Sequence, residues 1–392
     1  MNPAFTKIIV AMDSFKGCLT SNEAGQAAME GIQKDFPNIE VACIPVSDGG
    51  DGMLDVLVQA TGGRSITLNV HDPLLRPCTA RYGISPDGHT AFIEMAMASG
   101  LSLVPTAQRN PMLTSTYGTG ELVLDALKRG CRNFIIGLGG SATNDAGLGM
   151  LQALGYRFLN QAKETLGASL ETVMNGSLMA EVAAIDTFHV YPAVREARFL
   201  LACDVQAPFY GPQGAACVFA PQKGADENMV KALDKNLEHL ANVLKQETGK
   251  DITLLPGAGA AGGMGGGMMA LLNATMKPGT KVVLDAIHFK KQITGASLVI
   301  TGEGKSDRQT LMGKIPSGIL EEATRQGIPT LLLSGSIEDV NELNSAGFLG
   351  VFSTTPRPMF LAQAMEPNVA RNNIRETARQ IIRVLQHGLP AI

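Results

Sequence analysis

Basic segments and clusters of metal-binding side chains are both missing from this sequence of 392 residues. Its 36 Asp and Glu residues outnumber its 32 Lys and Arg residues, and no basic stripe is present that would follow a phosphate backbone. We therefore expect no nucleic-acid partner. The six cysteines contain no CxxC pair, and the six histidines form no HxH or HExxH cluster. This scatter favours reduced, buried thiols over disulfides and gives no support for a zinc site.

Segments that would lead the chain into a membrane are also missing. The N-terminal residues MNPAFTKIIVAMDSFKG contain neither a long apolar region nor a small-residue cleavage site. The uncharged stretch Ile252–Met276 is dominated by Gly and Ala and is interrupted by Pro256. Because such a composition gains little by entering hydrocarbon, we expect no membrane partner and a cytoplasmic protein.

A repeating order of chain features predicts the fold. Short β-branched runs are each followed by a loop of Gly, Asp, Ser or Asn and then by a helical pattern. The main runs expected to be strands are Lys7–Met12, Val41–Val46, Asn133–Leu138, Ser297–Thr301, Thr330–Leu333 and Gly350–Ser353. Strands that alternate with helices indicate an α/β protein with a doubly wound, mostly parallel sheet, whose ligands bind beyond the carboxyl ends of the strands.

Two domains are expected, because the chain is longer than one hydrophobic core normally supports. Strand–loop–helix units from both ends and the middle of the sequence predict a discontinuous Rossmann-like or flavodoxin-like domain. Its predicted residues are 1–64, 115–195 and 286–392. Alternating runs in Ser65–Ile93 predict antiparallel strands, which Arg198–Ala220 and Lys281–Leu284 could join. They define a second, smaller, inserted α/β domain, with the active site in the cleft between the two. Its predicted residues are 65–114 and 196–285.

The segment Gly137–Gly147, GLGGSATNDAG, is the most informative loop. Consecutive small residues at a helix N-terminus leave several N–H groups pointing at one place, where the helix dipole also favours an anion. The candidate substrate-binding residues are Gly140, Ser141, Asn144 and Asp145. A tight turn with Ser141 or Thr143 as the helix N-cap remains the alternative.

A second candidate site follows the first predicted strand. Asp13, Ser14 and Lys16 lie there as further candidate substrate-binding residues, and Lys16 is also a candidate catalytic residue. Lys16 could neutralise a phosphate or carboxylate while Asp13 holds it in place. A local ion pair of little consequence is the alternative.

Two further loops carry carboxylates. Asp48 and Asp51 lie in a Gly-rich loop that could accept a substrate hydroxyl, carry outer-shell magnesium, or simply form a turn. Asp204 ends the apolar run Leu200–Val205 and is either solvated there or close to the chemistry.

Two segments imitate nucleotide-binding motifs. Gly257, Gly259 and Gly262 fit GxGxxG, but further glycines follow at once and would leave the crossover helix poorly formed. A phosphate-cradling or hinge loop is therefore favoured over a Rossmann turn. Gly304-Lys305-Ser306 resembles the end of a P-loop, yet Val299 occupies the position of its leading Gly.

Phosphoryl transfer without a P-loop requires donors for the phosphates, a magnesium ion and a carboxylate that orients the hydroxyl. The segment Thr301–Lys314 offers Glu303, Asp307 and Lys314 as an acid–base set of this kind. A solvated loop of mixed charge is the alternative.

Several segments, in this order, resemble the bacterial class I glycerate kinase family. They are Asp13–Gly17, Asp48–Gly52, Glu94–Ala96, Ser99–Leu101, Thr116–Glu121, Gly139–Asp145, Cys203–Val205, Pro221–Gly224, Pro256–Gly263 and Thr301–Lys314. The resemblance implies two α/β domains, one interrupted by the other, with glycerate and ATP–Mg²⁺ meeting in the cleft. It also implies phosphorylation of (R)-glycerate at the C2 hydroxyl, giving 2-phosphoglycerate and ADP.

The residues and the resemblance together suggest roles. Asp48 or Asp204 is the candidate general base, and Lys16 with the N–H groups of Gly140 and Ser141 binds the substrate carboxylate or the transferred phosphate. The candidate nucleotide-binding residues are Gly257, Gly259, Gly262, Gly263, Glu303 and Lys314, and Asp307 is the candidate magnesium ligand. The sequence departs from the family pattern at three places. Met12 stands where the family usually has Pro, and Ser47 stands where Ala is common. The segment 161–172 lacks the Gly-rich stretch that the family has there.

Two other functions remain open from the residues alone. The GxGxxG segment could serve an NAD(P)-dependent oxidoreductase of a small hydroxy acid. A two-domain cleft could also belong to a sugar-acid binding protein without catalytic activity.

Overall fold

A computed structural model describes residues 5–50, 52–169 and 172–387 of the chain. The strands are β1 Lys7–Met12, β2 Glu40–Cys43, β3 Arg64–His71, β4 Pro77–Ile84, β5 Thr90–Glu94, β6 Asn133–Gly137, β7 Arg157–Leu159, β8 Ala184–Asp186, β9 Arg198–Ala202, β10 Thr275–Lys277, β11 Leu298–Ser306, β12 Thr330–Ile337 and β13 Gly350–Ser353. The α-helices are α1 Ser21–Asp35, α2 Met53–Thr61, α3 Ala96–Ser99, α4 Tyr117–Lys128, α5 Leu148–Ala153, α6 Ala215–Phe219, α7 Glu227–Thr248, α8 Met264–Leu271, α9 Gly279–Ala286, α10 Phe289–Gln292, α11 Ile315–Arg325, α12 Val340–Ser345, α13 Leu361–Ala364 and α14 Pro367–His387. Short 3₁₀ helices cover Leu101–Leu103, Thr106–Gln108, Leu178–Glu181, Pro192–Glu196, Pro221–Lys223 and Arg308–Leu311.

The chain divides into two compact units at other points than the sequence predicted. The first unit consists of residues 1–48 and 280–392, and the second unit of residues 49–279. The segment 115–195, expected in the discontinuous domain, lies in the second unit because β6 pairs with β5 and β9 in one sheet. The inserted unit is consequently the longer of the two, not the smaller.

The first unit contains a sheet of five strands in the order β13-β12-β11-β1-β2, with every pair parallel. Numbered within this unit, the order is 2-1-3-4-5, that of flavodoxin-like doubly wound sheets. The order reverses between β1 and β11, and the ligands of such sheets bind beyond the carboxyl ends of the strands at that point. The predicted fold class, α/β with a mostly parallel sheet in a discontinuous domain, is confirmed.

Local sequence signals explain how the helices of the first unit begin and pack. Thr20 and Glu23 form the predicted capping box at the start of α1, with reciprocal hydrogen bonds of 3.2 Å and 3.0 Å. Gly31 lets α14 approach α1, because a Cβ atom there would lie 2.1 Å from the Arg375 carbonyl oxygen. The two helices bury Ile32, Ile374 and other apolar residues in one core with the sheet.

The second unit contains a mixed sheet of six strands in the order β10-β9-β6-β5-β4-β3. The predicted antiparallel strands within Ser65–Ile93 are confirmed as β3, β4 and the start of β5. The remaining pairs, β5 with β6, β6 with β9 and β9 with β10, are parallel. One large apolar core, from Val70 to Ala274, belongs to this unit alone.

Two local predictions are wrong. Lys281–Leu284, expected to be a strand, lies in helix α9, since a short apolar run fits either period. Gly302–Ser306, expected to be a loop, continues β11 because it keeps pairing with β12 as far as Ile337. Met264–Leu271 forms a helix despite its glycines, and burial against the core compensates for their low helix propensity. No helix in the described ranges is both long and apolar enough to cross a membrane.

Candidate active site

Charged side chains from two neighbouring strands of the first unit line one pocket, which we call the switch-point pocket. Strands β1 and β11 pair in parallel, so the residues at their carboxyl ends share one edge of the sheet. The pocket has a volume of about 360 Å³. Its charged lining residues are Asp13, Lys16, Asp48, Glu303, Lys305 and Lys314. The sequence loops that were singled out after β1, after β2 and in 301–314 therefore meet in one place.

Asp13 is a buried carboxylate of this pocket, with 6% of its surface exposed. Its backbone N–H donates to the Gly302 carbonyl at 2.8 Å, and its Oδ1 accepts the N–H of Ser14 at 2.7 Å. Burial is the main cause that raises its pKa to about 7, and the charges of Asp48 and Glu303 raise it further. A carboxyl group with a pKa near neutrality can exchange a proton at physiological pH.

Lys16 extends from the loop after β1 into solvent, and its ammonium group pairs with Asp48. The distance from Lys16 Nζ to Asp48 Oδ2 is 3.2 Å, and three quarters of the lysine side chain is exposed. We expected Asp13 to hold Lys16, and the two charges do interact, since Lys16 opposes the rise in the pKa of Asp13. The ammonium group reaches the more accessible carboxylate, because burying it beside Asp13 would cost it more hydration.

Ser21 joins the segment that carries Asp48 to the end of β1. Its Oγ donates to the Met12 carbonyl at 2.7 Å and accepts the N–H of Val46 at 2.8 Å. This bridge positions the Asp48 carboxylate over the same strand end that carries Asp13. Asp51, the other carboxylate of this loop, lies outside the described residues.

Glu303 is held rigidly at the pocket wall. Its Oε1 accepts the hydroxyls of Ser306 at 3.1 Å and Thr310 at 2.6 Å, and its Oε2 lies 3.5 Å from Lys314 Nζ. Asp307 instead caps the 3₁₀ helix that follows, accepting the N–H of Gln309 at 2.9 Å. Glu303 and Lys314 therefore line the pocket, whereas Asp307 caps the helix that follows.

In the second unit, Ser141 is hydrogen-bonded to a buried lysine. Lys223 Nζ donates to Ser141 Oγ at 2.8 Å and to the Thr143 carbonyl at 2.6 Å, with only 2% of Lys223 exposed. Burial lowers the pKa of Lys223 to about 7, against the smaller opposing effect of Asp145. Lys223 therefore anchors the loop of residues 139–145, which we call the Ser141 loop.

Asn144 and Asp145 have opposite hydrogen-bonding situations. Neither side-chain polar atom of Asn144 has a hydrogen-bond partner among the described residues, although the residue is fully buried. Asp145 accepts the N–H and hydroxyl of Thr116, both at 2.8 Å, and the N–H groups of Gly147 and Gly149 at 3.2 Å. Complete burial nevertheless raises the pKa of Asp145. Asp145 thus braces the loop, and its direct contact with substrate stays a prediction.

Asp204 lies just beyond β9 and has an exposed side chain. Its Oδ1 accepts the N–H of Gly279 at 2.9 Å. The predicted catalytic residues Asp48 and Asp204 fall in different units.

The predicted nucleotide-binding glycines form a buried turn of the second unit, residues 257–263, which we call the glycine loop. The N–H of Gly259 donates to the Ala207 carbonyl at 3.0 Å, and that of Gly263 to the Gly259 carbonyl at 3.3 Å. A Cβ atom on Gly262 would lie 2.1 Å from the Thr143 carbonyl oxygen. These glycines permit close packing against the Ser141 loop. Their contact with a nucleotide stays a prediction. The N–H groups of Gly259 and Gly263 do not support it, because both already donate to backbone carbonyls and are not free to bind phosphate.

The GxGxxG segment is not a Rossmann turn. In the part of the chain that the structure describes, residues 249–256 before it form no strand, and β10 after α8 has only three residues. The P-loop imitation is excluded as well, because Gly304-Lys305-Ser306 lies within β11.

Two pocket residues and one buried residue are not predicted from the sequence to take part in the chemistry. Lys305 belongs to the segment that resembles the end of a P-loop, and Asn373 lies in a helix far along the chain. Lys223 belongs to Pro221–Gly224, one of the segments that carry the family resemblance. A charged residue between Pro and Gly after an apolar run is the signal that could have identified it.

A model of the glycerate kinase family matches residues 8–386. The chain belongs to this family. The match spans both units and every candidate residue named above.

Individual relatives agree with this membership. A Bacillus cereus (strain ATCC 10987 / NRS 248) protein named glycerate kinase is 45% identical over 379 residues, which cover 96% of this chain and 97% of the relative. An Escherichia coli (strain K12) protein named glycerate 2-kinase is 41% identical over 384 residues, covering 98% and 99%. A crystal structure from Salmonella typhimurium LT2, whose assignment as glycerate kinase 2 is itself provisional, matches with TM-score 0.87 and 38% identity, covering 98% and 99%.

Membership of the glycerate kinase family implies ATP as the phosphate donor, and phosphoryl transfer from ATP generally uses a magnesium ion. Among the described residues, no group of three or more His, Cys, Asp or Glu side chains could hold a metal ion alone. Magnesium in kinases is usually bound by one or two carboxylates together with the phosphates of the nucleotide. Asp48 and Glu303, hard oxygen donors that line one pocket, fit such a shared site.

Proposed function

We propose that this protein is an ATP-dependent kinase that transfers a phosphoryl group to the C2 hydroxyl of (R)-glycerate, giving 2-phosphoglycerate and ADP. Family membership supports the reaction class, and a relative named glycerate 2-kinase supports the C2 position. The observation that carries the proposal is the switch-point pocket. It combines three lysines with three carboxylates at the carboxyl ends of parallel strands.

Phosphoryl transfer depends on positioning and charge neutralisation rather than on covalent chemistry by the protein. Lys16, Lys305 and Lys314 line the pocket, and we propose that each of them contacts a phosphate oxygen. Glu303 keeps Lys314 in place through their 3.5 Å ion pair. When bound with ATP, Mg²⁺ would neutralise charge on the phosphates, and Asp48 and Glu303 are the proposed carboxylates around it; Asp307 stays a weaker candidate.

Three carboxylates are candidates for the general base that accepts the proton of the C2 hydroxyl. Asp48 and Asp204 follow from the sequence and the family resemblance. Asp13 is added by its geometry, because its buried carboxyl group has a pKa of about 7 and lines the same pocket. A base whose pKa lies near the working pH is favoured for proton transfer. We therefore propose Asp13 first and keep Asp48 and Asp204 as alternatives.

The Ser141 loop is proposed to bind the glycerate. Asn144 carries a buried amide without a partner, and such a group gains by hydrogen-bonding a polar ligand. Gly140 and Ser141 precede it at the N-terminal side of a turn, and Lys223 supports Ser141 from within. A carboxylate or hydroxyl of glycerate has the acceptor and donor atoms that this loop lacks.

Two coarser expectations complete the proposal. We infer action in the cytoplasm, where ATP is abundant and the six free cysteines stay reduced. The cleft between domains that the family resemblance implies is retained as a prediction.

A coupled assay of ADP release tests the proposal. Purified protein with ATP and Mg²⁺ is offered glycerate, tartronate, lactate and glycolate separately. We expect ADP release that depends on glycerate and exceeds the rate with lactate, which lacks the C3 hydroxyl. NADH binding without ADP release would support the oxidoreductase alternative, and glycerate binding without turnover would support the binding-protein alternative. Either result would contradict the proposal.

A further inference from the structure

The switch-point pocket has an apolar side that binding of phosphate groups does not require. Leu361 and Ala364 of α13 and Met365 directly after it all line the pocket. Their spacing, i, i+3 and i+4, places them on one face of a helix. Ala370 of α14 lines the pocket as well. These four residues form what we call the apolar wall.

The apolar wall is accessible and lies next to the loop that carries Lys16. Leu361 is 75% exposed and Met365 is 37% exposed, although both side chains are apolar. A Cβ atom on Gly17 would lie 3.3 Å from Met365 Cε, so the wall adjoins the residue directly after Lys16. One continuous pocket therefore offers an apolar surface and three ammonium groups.

Asn373 adds a hydrogen-bonding group beside the apolar wall. It follows Ala370 by three residues on α14, which places both on one helix face, and both line the pocket. Its exposed fraction is only 9%, and its side-chain amide makes no hydrogen bond to the described residues. An amide can donate and accept at once, which is the pattern that the amino-pyrimidine edge of adenine requires.

These features separate the possible ligands by chemistry. Glycerate has no apolar surface and is far smaller than a pocket of about 360 Å³, a volume in the range of sites for cofactor-sized molecules. A nucleotide has a flat apolar base at one end and a polyanion at the other. The pocket matches a nucleotide in volume, in apolar surface and in charge.

We infer that the switch-point pocket binds ATP with the adenine base against the apolar wall, the Asn373 amide hydrogen-bonded to its amino edge, and the triphosphate directed to Lys16, Lys305 and Lys314. The inference rests on the proposed function for the identity of the nucleotide. It moves the nucleoside from the glycine loop of the second unit to the first unit.

A pair of substitutions on α13 tests the position of the base. Ala364→Phe fills the pocket, whereas Ala362→Phe places the same ring on an exposed residue that does not line it. Direct titration with a fluorescent ATP analogue should give at least a tenfold weaker dissociation constant for Ala364→Phe and no change for Ala362→Phe. Equal affinities for the two variants would overturn the inference. Melting temperatures near that of the unmodified protein verify that both variants are folded.

A second pair tests base recognition without filling the pocket. Asn373→Leu should remove the preference for ATP over inosine triphosphate, which lacks the amino group, to within about twofold. Asn372→Leu, on an exposed neighbour, should keep the preference. A preference that survives in Asn373→Leu contradicts the assigned contact.

Photolabelling of the unmodified protein with 8-azido-ATP avoids substitutions altogether. The label should be recovered in peptides that contain residues 354–373 and should be lost when ATP is added in excess. Label in residues 257–263 would place the base on the glycine loop and overturn the inference.

These experiments distinguish a failure of the inferred ATP position from a failure of the proposed function. Pocket-dependent ATP binding without glycerate phosphorylation would refute the proposed function and leave the inference intact. Glycerate phosphorylation with an unchanged KM for ATP in Ala364→Phe would refute the inference and leave the proposed function intact.

Discussion

The buried carboxyl group of Asp13 lowers the free energy of unfolding at neutral pH and is also the proposed general base. Its folded-state pKa of about 7 lies above the ordinary value of 3.8, so between these pH values the folded protein holds a proton that the unfolded chain has released. The free energy of unfolding therefore falls as the pH rises through this window. Carboxyl groups with strongly shifted pKa values cluster at functional sites, and this destabilising residue is therefore a candidate for a functional role.

Asp13→Asn should therefore stabilise the protein and inactivate it. At pH 8 the variant should melt about 2 °C or more above the unmodified protein, with the difference shrinking towards pH 4. Its kcat should fall by about 10²-fold or more, since loss of a general base has that effect. Thermal melts across pH and the ADP-release assay measure the two changes.

Asp285→Asn, at an exposed residue of α9, is the control and should change neither property. Asp48→Asn and Asp204→Asn complete the series. If Asp13→Asn kept turnover within about threefold while one of these two lost it, the base would be that residue instead.

Lys223 shows the opposite linkage. Its pKa of about 7 lies below the ordinary 10.5, so between pH 7 and 10.5 the unfolded chain binds a proton that the folded protein lacks. Stability due to this group rises with pH across that window. Lys223→Met should remove this rise and also shift stability uniformly, because it breaks the bonds to Ser141 and Thr143.

Urea unfolding midpoints from pH 7 to 9.5 measure the Lys223→Met effect. Lys235→Met, on an exposed residue of α7, should retain the pH dependence of the unmodified protein. An identical slope in the two variants would show that the buried amine does not carry the predicted shift.

The glycine loop supports the Ser141 loop at the scale of elements. Gly262 and Gly249 both have positive φ, +67° and +72°, but differ in their surroundings. A Cβ atom on Gly262 would lie 2.1 Å from the Thr143 oxygen and 2.6 Å from Asn144 Cα, whereas a Cβ atom on Gly249 meets nothing within 4 Å. The pair therefore separates backbone strain from steric overlap.

Gly249→Ala should cost about 1 kcal/mol from the left-handed backbone alone. Gly262→Ala should cost about 2 kcal/mol more, because the Ser141 loop must move. It should also raise the KM for glycerate, since the move displaces Asn144. Urea unfolding and steady-state kinetics check both. Equal stability losses, with an unchanged KM, would contradict the supporting role of the glycine loop.

The sequence predicted elements well where the signal was local. The capping box of Thr20 and Glu23, strand β1 and the antiparallel strands after Arg64 depend on residues within a few positions of each other. The neighbours of β6 depend on the whole fold, because a five-residue strand with three apolar side chains can pair in either sheet. The run Lys281–Leu284 became a helix for a related reason: four residues do not define a period.

The candidate site was predictable in composition but not in arrangement. Loops rich in Asp, Gly and Lys at strand ends identified Asp13, Lys16, Asp48, Glu303 and Lys314, which line one pocket. The raised pKa of Asp13 arises from burial and from carboxylates distant in sequence, which no local pattern encodes. The bond of Lys223 to Ser141 spans 82 positions and is equally invisible in the sequence.

At the scale of the whole molecule, the two units are each built around their own core. The first unit's main core draws on residues from Ile8 to Ile39 and from Leu298 to Ile382, and the large core of the second lies between Val70 and Ala274. Gly49 and Gly279 are neighbours, since a Cβ atom on Gly49 would lie 2.6 Å from Gly279 Cα. The chain therefore enters and leaves the second unit at one place.

This geometry predicts that the first unit folds alone. A chain in which about four Gly and Ser residues replace residues 49–279 should unfold cooperatively and still bind ATP. It should release no ADP with glycerate, because the Ser141 loop is gone. Calorimetry and the fluorescent nucleotide titration check this. A chain that fails to fold, or folds without binding ATP, would contradict the assignment of a complete nucleotide pocket to the first unit.

The proposed reaction transfers a phosphoryl group from ATP to the C2 hydroxyl of glycerate. Phosphorus NMR of the product, recorded with proton coupling, identifies the carbon that carries the new phosphate. A phosphate on C2 is coupled to one proton and gives a doublet, whereas a phosphate on C3 is coupled to two and gives a triplet. We expect a doublet together with the signals of ADP. A triplet, or no new phosphate ester after extended incubation with ATP, Mg²⁺ and (R)-glycerate, would contradict it.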